Sequence, residues 1–179
     1  MTFPNDKDYK GFVILGIDPG FKGGLSFLCP RDMSVKSYPM PILKDKKSGK
    51  TSLDTTKIIT LIEDFVPSRM AIERNHSRPG QGVSSSFTFG YWSGFFEGLS
   101  AGYLMPMTLV PPQVWMKDLF QEKRVGNVKM SVAYCQRLWP NNVWVGTPRS
   151  KTPHDGMTDS ALIALYLWRK IKRDMLSEG

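Results

Sequence analysis

Four carboxylates stand out in a chain where acids are the minority. Asp18 closes the apolar run FVILGI at 12–17, and Glu73 closes RMAI at 69–72. Asp155 and Asp159 lie four apart at the start of a segment with helical periodicity, so they share one helix face. If the two strands are neighbours in one sheet, Asp18 and Glu73 meet at one edge, and the last helix can bring Asp155 and Asp159 to it. Four carboxylates in one place repel, and they coexist only with bound cations or bound protons. Hard oxygen ligands select Mg²⁺ or Mn²⁺ over zinc. Two such ions about 4 Å apart serve a phosphodiester displacement, one activating the attacking water and the other stabilising the leaving oxygen.

Each acid also has a plainer reading. Asp18 before Pro19-Gly20 suits a turn, and Glu73 beside Arg74 suits a surface ion pair. Asp155 and Asp159 would both be favourable at a helix N-terminus. Singly, these readings match the catalytic one; jointly, in a basic chain, the catalytic one gains ground.

The elements that must position the acids follow from the pattern. The runs at 12–17, 24–28 (GLSFL) and 34–39 (SVKSYP), joined by short turns, predict an antiparallel meander. Residues 44–50 (KDKKSGK) predict a solvated, charged loop in preference to a DNA contact. Leu53, Ile58, Leu61, Ile62 and Phe65 predict a helix over 51–65, with Asp54 as a candidate N-cap. The strand at 69–72 then completes a right-handed parallel crossover. After a polar loop at 74–86, a helix over 87–101 carries Phe87, Tyr91, Phe95 and Leu99 at four-residue spacing. Gly90, Gly94 and Gly98 form a second stripe, which makes sense against a sheet or another helix. A strand at 107–110, a helix at 113–120 opened by Pro111-Pro112, a helix to 138 capped by Asn127, and a helix over 157–172 complete the chain. Arg169, Lys170, Lys172 and Arg173 read as partners of that last helix's C-terminus.

Composition limits the function classes. Over 179 residues the chain carries 24 Lys plus Arg against 16 Asp plus Glu, a net charge of +8 that suits a polyanion such as nucleic acid. A hydrophobic fraction of 41% makes wholesale disorder untenable. No apolar run reaches the roughly 18 residues of a membrane span, and the start lacks a signal-peptide core, so a soluble cytoplasmic protein is expected. Cys29, Cys135, His76 and His154 are too scattered for zinc, and the cysteines are expected to be free thiols. The length favours one domain over 1–179, with 1–10 a loose arm.

The segments GIDPG (16–20), AIERNHSRPGQG (71–82), FGYWSGFFEGLSAG (89–102) and HDGMTDSALIAL (154–165) resemble the RuvC-type Holliday junction resolvases, and more broadly the RNase H-like nuclease superfamily. The order matches along nearly the whole chain and is most similar to the phage members of the group. The GIDPG turn alone is weak, because sugar-kinase and actin-like ATPases share it; its combination with the Ile-Glu strand end and the D-xxx-D-S-A-L helix is specific. The resemblance implies an α/β RNase H-like fold, with a mixed central β-sheet (antiparallel meander plus parallel strands) flanked by α-helices.

It also implies that Asp18 bridges the metals, Glu73 ligates one, and Asp155 with Asp159 completes the site. Bacterial RuvC has its last two acids three apart. Here they are four apart and position 156 is Gly, so Asp155 or His154 supplies that ligand. Where bacterial RuvC carries a stacking aromatic in the loop after the second acid, this chain offers His76 and Arg78, beside Arg74. Lys117 and Lys129 resemble family lysines that approach DNA phosphates; Arg149 and Lys151 are weaker candidates.

The implied activity is Mg²⁺-dependent cleavage (with Mn²⁺ as a substitute) of two opposed strands of a four-way junction by a homodimer, leaving 5′-phosphate and 3′-hydroxyl ends. The implied location is the cytoplasm, the host's if phage-encoded, and no small-molecule cofactor is implied. The helix at 87–101 is the candidate dimer face, although a buried monomer core produces the same pattern. Three alternatives remain at this point. One is a same-fold nuclease for flaps, forks or RNA hybrids. Another is a junction-binding module that does not cut. The last is a sugar-kinase-like ATPase, disfavoured because that architecture needs two domains around its nucleotide.

Overall fold

A computed structural model describes residues 11–74, 83–120 and 129–177. The expected arm at 1–10, His76, Arg78 and the Asn127 cap lie outside the described residues. Three strands, β1 (Ile14–Asp18), β2 (Gly24–Cys29) and β3 (Ser34–Pro39), form the expected antiparallel meander. A short hairpin follows, β4 (Ile42–Lys44) and β5 (Thr51–Leu53), and then helix α1 (Thr55–Phe65). β6 (Arg69–Glu73) returns parallel to β1, completing the crossover. Helix α2 (Val83–Gly102) leads to β7 (Met107–Val110), parallel to β6. Three helices close the chain: α3 (Pro112–Leu119), α4 (Met130–Leu138) and α5 (Asp155–Ser177). The main sheet has the order β3-β2-β1-β6-β7.

Strand alternation divides the apolar side chains between two layers. Ile14, Leu28, Ala71 and Val110 pack with α3, α4 and α5 through Trp115, Leu119, Cys135 and Leu162. Leu15, Ile17, Leu25, Phe27, Met70 and Ile72 pack with α1 and α2 through Ile58, Leu61, Ile62, Trp92 and Phe96. Helix α5 is buried from Gly156 to Trp168, as befits a helix laid across the middle of the sheet. Gly16 permits that approach: a Cβ there would lie 2.1 Å from the Ser160 carbonyl oxygen and 2.6 Å from the Ala164 nitrogen. Ser26 on β2 ties the layers together, sharing 2.7 Å hydrogen bonds with both Ser160 and Ser37.

Several sequence expectations are refined. The helix expected from Thr51 starts at Thr55, after Asp54 accepts a hydrogen bond from the Lys57 amide at 3.0 Å; Leu53 belongs to β5. The loop at 44–50 is solvated as expected, exposed throughout, and it forms the tip of a hairpin, with Lys44 the last residue of β4. On α2 the residues turned into the core are Trp92, Phe96 and Leu99, whereas Phe87 and Tyr91 are exposed. Gly90, Gly94 and Gly98 face open space instead of a sheet or helix of this chain. Finally, α5 runs on to Ser177, so its basic residues are not at its end. Arg173 and Arg169 reach Asp118 of α3 at 2.7 and 3.8 Å, and Lys170 reaches Asp174 at 2.6 Å.

Candidate active site

The register brings the first two acids together. Ile17 pairs with Ile72 across the parallel β1–β6 ladder, so Asp18 and Glu73 are one step further along adjacent strands. Both alternate with residues on the α5 face, Gly16 with Asp18 and Ala71 with Glu73. Asp159 arrives from above, because the Gly16 contact seats Ser160 directly over β1. Asp155, one turn earlier, is exposed, while Asp159 is buried.

The electrostatics follow from that convergence. Burial pushes the Asp18 carboxyl up to about 8, and the negative charges of Asp159, Glu73 and Asp155 act in the same direction. Burial also raises Glu73, partly offset by a hydrogen bond that it accepts at 2.9 Å from Trp115 Nε1. Trp115 is fully buried, so this bond holds Glu73 in one orientation. Lys129, immediately before α4, donates to Asp159 Oδ2 at 2.6 Å and lies 3.5 Å from Asp155 Oδ2. Burial opposes the charge of its ammonium, but Asp159, Asp155 and Asp18 outweigh that and hold its pKa above the usual lysine value.

Among the described residues, no three His, Cys, Asp or Glu groups already converge as a metal cage. The donor set nonetheless fits a hard divalent cation. Among the described residues Asp159 Oδ1 is buried with no hydrogen-bond partner, and Asp18 sits among like charges that a cation would relieve. Lys129 supplies compensating positive charge to two of the four acids.

The remaining candidates divide by position. His154 precedes α5 half-buried, its pKa lowered by burial against the opposing charge of Asp155. Its Nδ1 accepts from the Met157 amide at 3.4 Å, which closes the first turn of α5. Arg74, at the end of β6, is exposed with its amide bound to the Val110 carbonyl at 2.8 Å. Lys117, Arg149 and Lys151 are exposed, on α3 and in the loop before α5. No Glu73–Arg74 ion pair forms among the described residues; Glu73 is turned to Trp115 instead.

Two contributors escaped the sequence reading. Trp115 carried no signal beyond being an aromatic on a helix. Gly156, noted only as a missing acid, is there for a steric reason. A Cβ at 156 would lie 2.3 Å from the Gly23 carbonyl carbon and 2.4 Å from the Lys22 oxygen. The start of α5 is pressed main chain to main chain against the β1–β2 turn, so the carboxylate falls at 155.

No protein-family model and no curated protein sequence matches the chain. Solved structures do. The chain is similar to Thermus thermophilus RuvC in complex with a Holliday junction substrate, with a TM-score of 0.55 at 14% identity over 90% of this chain and 96% of that one. It is also similar to the yeast mitochondrial Holliday junction resolvase Ydc2, with a TM-score of 0.57 at 20% identity over 94% of this chain and 84% of that one. The fold is that of RuvC. The RNase H-like α/β architecture expected from the sequence is therefore present, and the four acids occupy one end of the RuvC-fold sheet.

Proposed function

We propose that the chain is a structure-selective DNA endonuclease that resolves four-way junctions, cutting two opposed strands to leave 5′-phosphate and 3′-hydroxyl ends. The observation that carries this reading is the convergence of Asp18, Glu73, Asp155 and Asp159 on one end of a RuvC-fold sheet, with Asp159 Oδ1 buried and without a hydrogen-bond partner among the described residues. A Mg²⁺ or Mn²⁺ ion held by these carboxylates would supply a water acidified toward neutral pH and charge neutralisation at the phosphate.

The chain's own residues do the rest. Trp115 orients Glu73, and the Gly16 and Gly156 contacts fix α5, so that Asp159 and Asp155 face Asp18 without rearrangement. The Lys129 ammonium neutralises Asp159 and Asp155 in the DNA-free protein, and it turns to a phosphate oxygen when DNA arrives. Arg74, Lys117, Arg149 and Lys151 are exposed cations available to the DNA backbone; His76 and Arg78, outside the described residues, would act on it as well. His154 holds the start of α5 and serves as an auxiliary ligand or phosphate contact.

Paired cuts call for two sites, and the exposed face of α2 supports a homodimer. Gly90, Gly94 and Gly98 present open backbone there, flanked by exposed Phe87 and Tyr91. Small residues let two helices approach closely, and exposed aromatics next to them are costly unless covered.

The test is cleavage of an end-labelled four-way junction in Mg²⁺ or Mn²⁺, beside linear duplex, a flap and an RNA–DNA hybrid, with Asp18→Asn as control. Symmetric paired nicks confined to the junction and lost in the variant are expected. Preferred cutting of another substrate would replace the junction assignment, and tight junction binding without cutting in either metal would reduce the protein to a binding module.

A further inference from the structure

The β4–β5 hairpin has no part in the site just described, yet it grows from the same edge. Asp18 pairs with Gly24, and Gly24 with Pro39, so the end of β3 lies level with the acids. β4 begins three residues later. The hairpin stands clear of the body: Ile42, Leu43 and Lys44 are exposed on both faces of β4, and Leu53 alone is buried at the base.

An isolated two-stranded ribbon is marginal in water, and this one is braced at both ends. At the base, the Asp54 amide donates to the Pro41 carbonyl at 3.0 Å. At the tip, Asp45 Oδ1 accepts from the amides of Lys47 and Ser48 at 2.7 and 3.1 Å, and the Asp45 amide donates to the Lys50 carbonyl at 2.9 Å. The only acid of the tip is thus absorbed by the turn. Lys44, Lys46, Lys47 and Lys50 are left exposed, and none of them forms an ion pair among the described residues.

The base of the ribbon also adjoins the loop before α5. A Cβ on Gly146 would lie 2.8 Å from His154 Cδ2 and 3.4 Å from Pro39 Cγ, so these three segments pack together. Arg149 and Lys151 project from that loop. Cations therefore continue from beside the acids out along the ribbon.

We propose that the β4–β5 ribbon is a phosphate clamp that grips the backbone of a duplex arm beyond the cleavage edge. This rests on the nuclease reading and extends it to a DNA contact that the site residues do not make. Three paired residues reach about 10 Å, and duplex DNA carries about one negative charge per 1.7 Å, so the ribbon spans several phosphates. The chemistry recognised is backbone charge and not base sequence, because lysines on a solvated tip act as point charges.

The test uses the full chain with Lys44, Lys46, Lys47 and Lys50 all changed to Gln, and a second variant with all four changed to Arg. Binding is titrated over a range of salt with a four-way junction. The Gln variant should bind roughly 10- to 100-fold more weakly, with a log–log salt slope smaller by about 3 to 4. The Arg variant should restore both. Unchanged affinity and slope would overturn the clamp, and failure of the Arg variant to restore binding would overturn its recognition of backbone charge. If the parent chain bound no DNA, the nuclease reading would fall first, and the clamp with it.

Discussion

Lys129 and Asp159, thirty residues apart, meet at 2.6 Å between α4 and α5, which sets one positive charge among the acids. Its ammonium is bound to acids, although the sequence placed it at DNA phosphates. The two roles are compatible if the lysine guards the carboxylates until metal and DNA replace it.

The Lys129→Gln variant should therefore split two observables. Half-saturation of cleavage by Mg²⁺ should move to lower concentration, by about fivefold for a half-exposed pair of this kind. The maximal rate should fall, by roughly tenfold or more, because the phosphate loses its cation. A titration of single-turnover cleavage against Mg²⁺ reads both.

Asp18 makes the metal-free protein sensitive to alkali. Its pKa of about 8 in the folded chain stands against 3.8 for the ordinary carboxyl. Between these values the folded state holds a proton that the unfolded state has lost, so stability falls as pH rises. The full penalty is reached above about pH 8, and none remains well below 3.8. In chelator, Asp18→Asn should melt several degrees above the parent at pH 9, with the gap closing toward pH 4. Saturating Mg²⁺ should stabilise the parent more than the variant.

Trp115→Phe keeps most of a fully buried ring but removes the Nε1 donor to Glu73. A hydrogen bond to a charged group is worth about 1.5–3 kcal/mol, and thermal unfolding should show a loss of that order. This bond also lowers the Glu73 pKa. Its removal should move the acidic limb of the cleavage pH profile to higher pH.

Gly156→Ala forces a methyl group into the backbone of the β1–β2 turn, where the nearest atoms are not flexible side chains. Overpacking of this kind costs about 2–3 kcal/mol, equivalent to roughly 5–10 °C in melting temperature. Cleavage should fall further than stability explains, because the start of α5 must lift away from Asp18. Gly102→Ala, in open space at the end of α2, is the control for a glycine without that contact.

The sheet and the convergence of the acids were readable in the sequence because Asp18 and Glu73 each terminate a short β-branched or apolar run. The rule for right-handed crossovers then put those runs side by side. Asp54 was readable for a similar reason, since an N-cap is a local interaction. The hairpin was hidden because three-residue strands, Ile-Leu-Lys and Thr-Ser-Leu, are too short for an alternation to be detected. Which α2 residues turn inward was left open by the sequence, and geometry decides it. Four-residue spacing drifts by about 40° per step on a helix of 3.6 residues per turn. Phe87 and Tyr91 consequently rotate away from the surface that Trp92, Phe96 and Leu99 bury. The partners of Lys129 and Trp115 were unreadable, being tertiary contacts with no local trace.

The meeting of Gly156 with Lys22 and Gly23 turns the spacing of the last two acids into a ruler. Where the helix start touches the turn through bare backbone, no side chain fits at 156, and the carboxylate moves back to 155. Acid spacing along this helix thus records how closely two segments more than a hundred residues apart approach each other. Inserting Asp at 156 would restore a three-residue spacing on paper while prising apart the contact that holds Asp159 over Asp18. A compensating change must come from the turn, by lengthening it, before the ligand can be relocated.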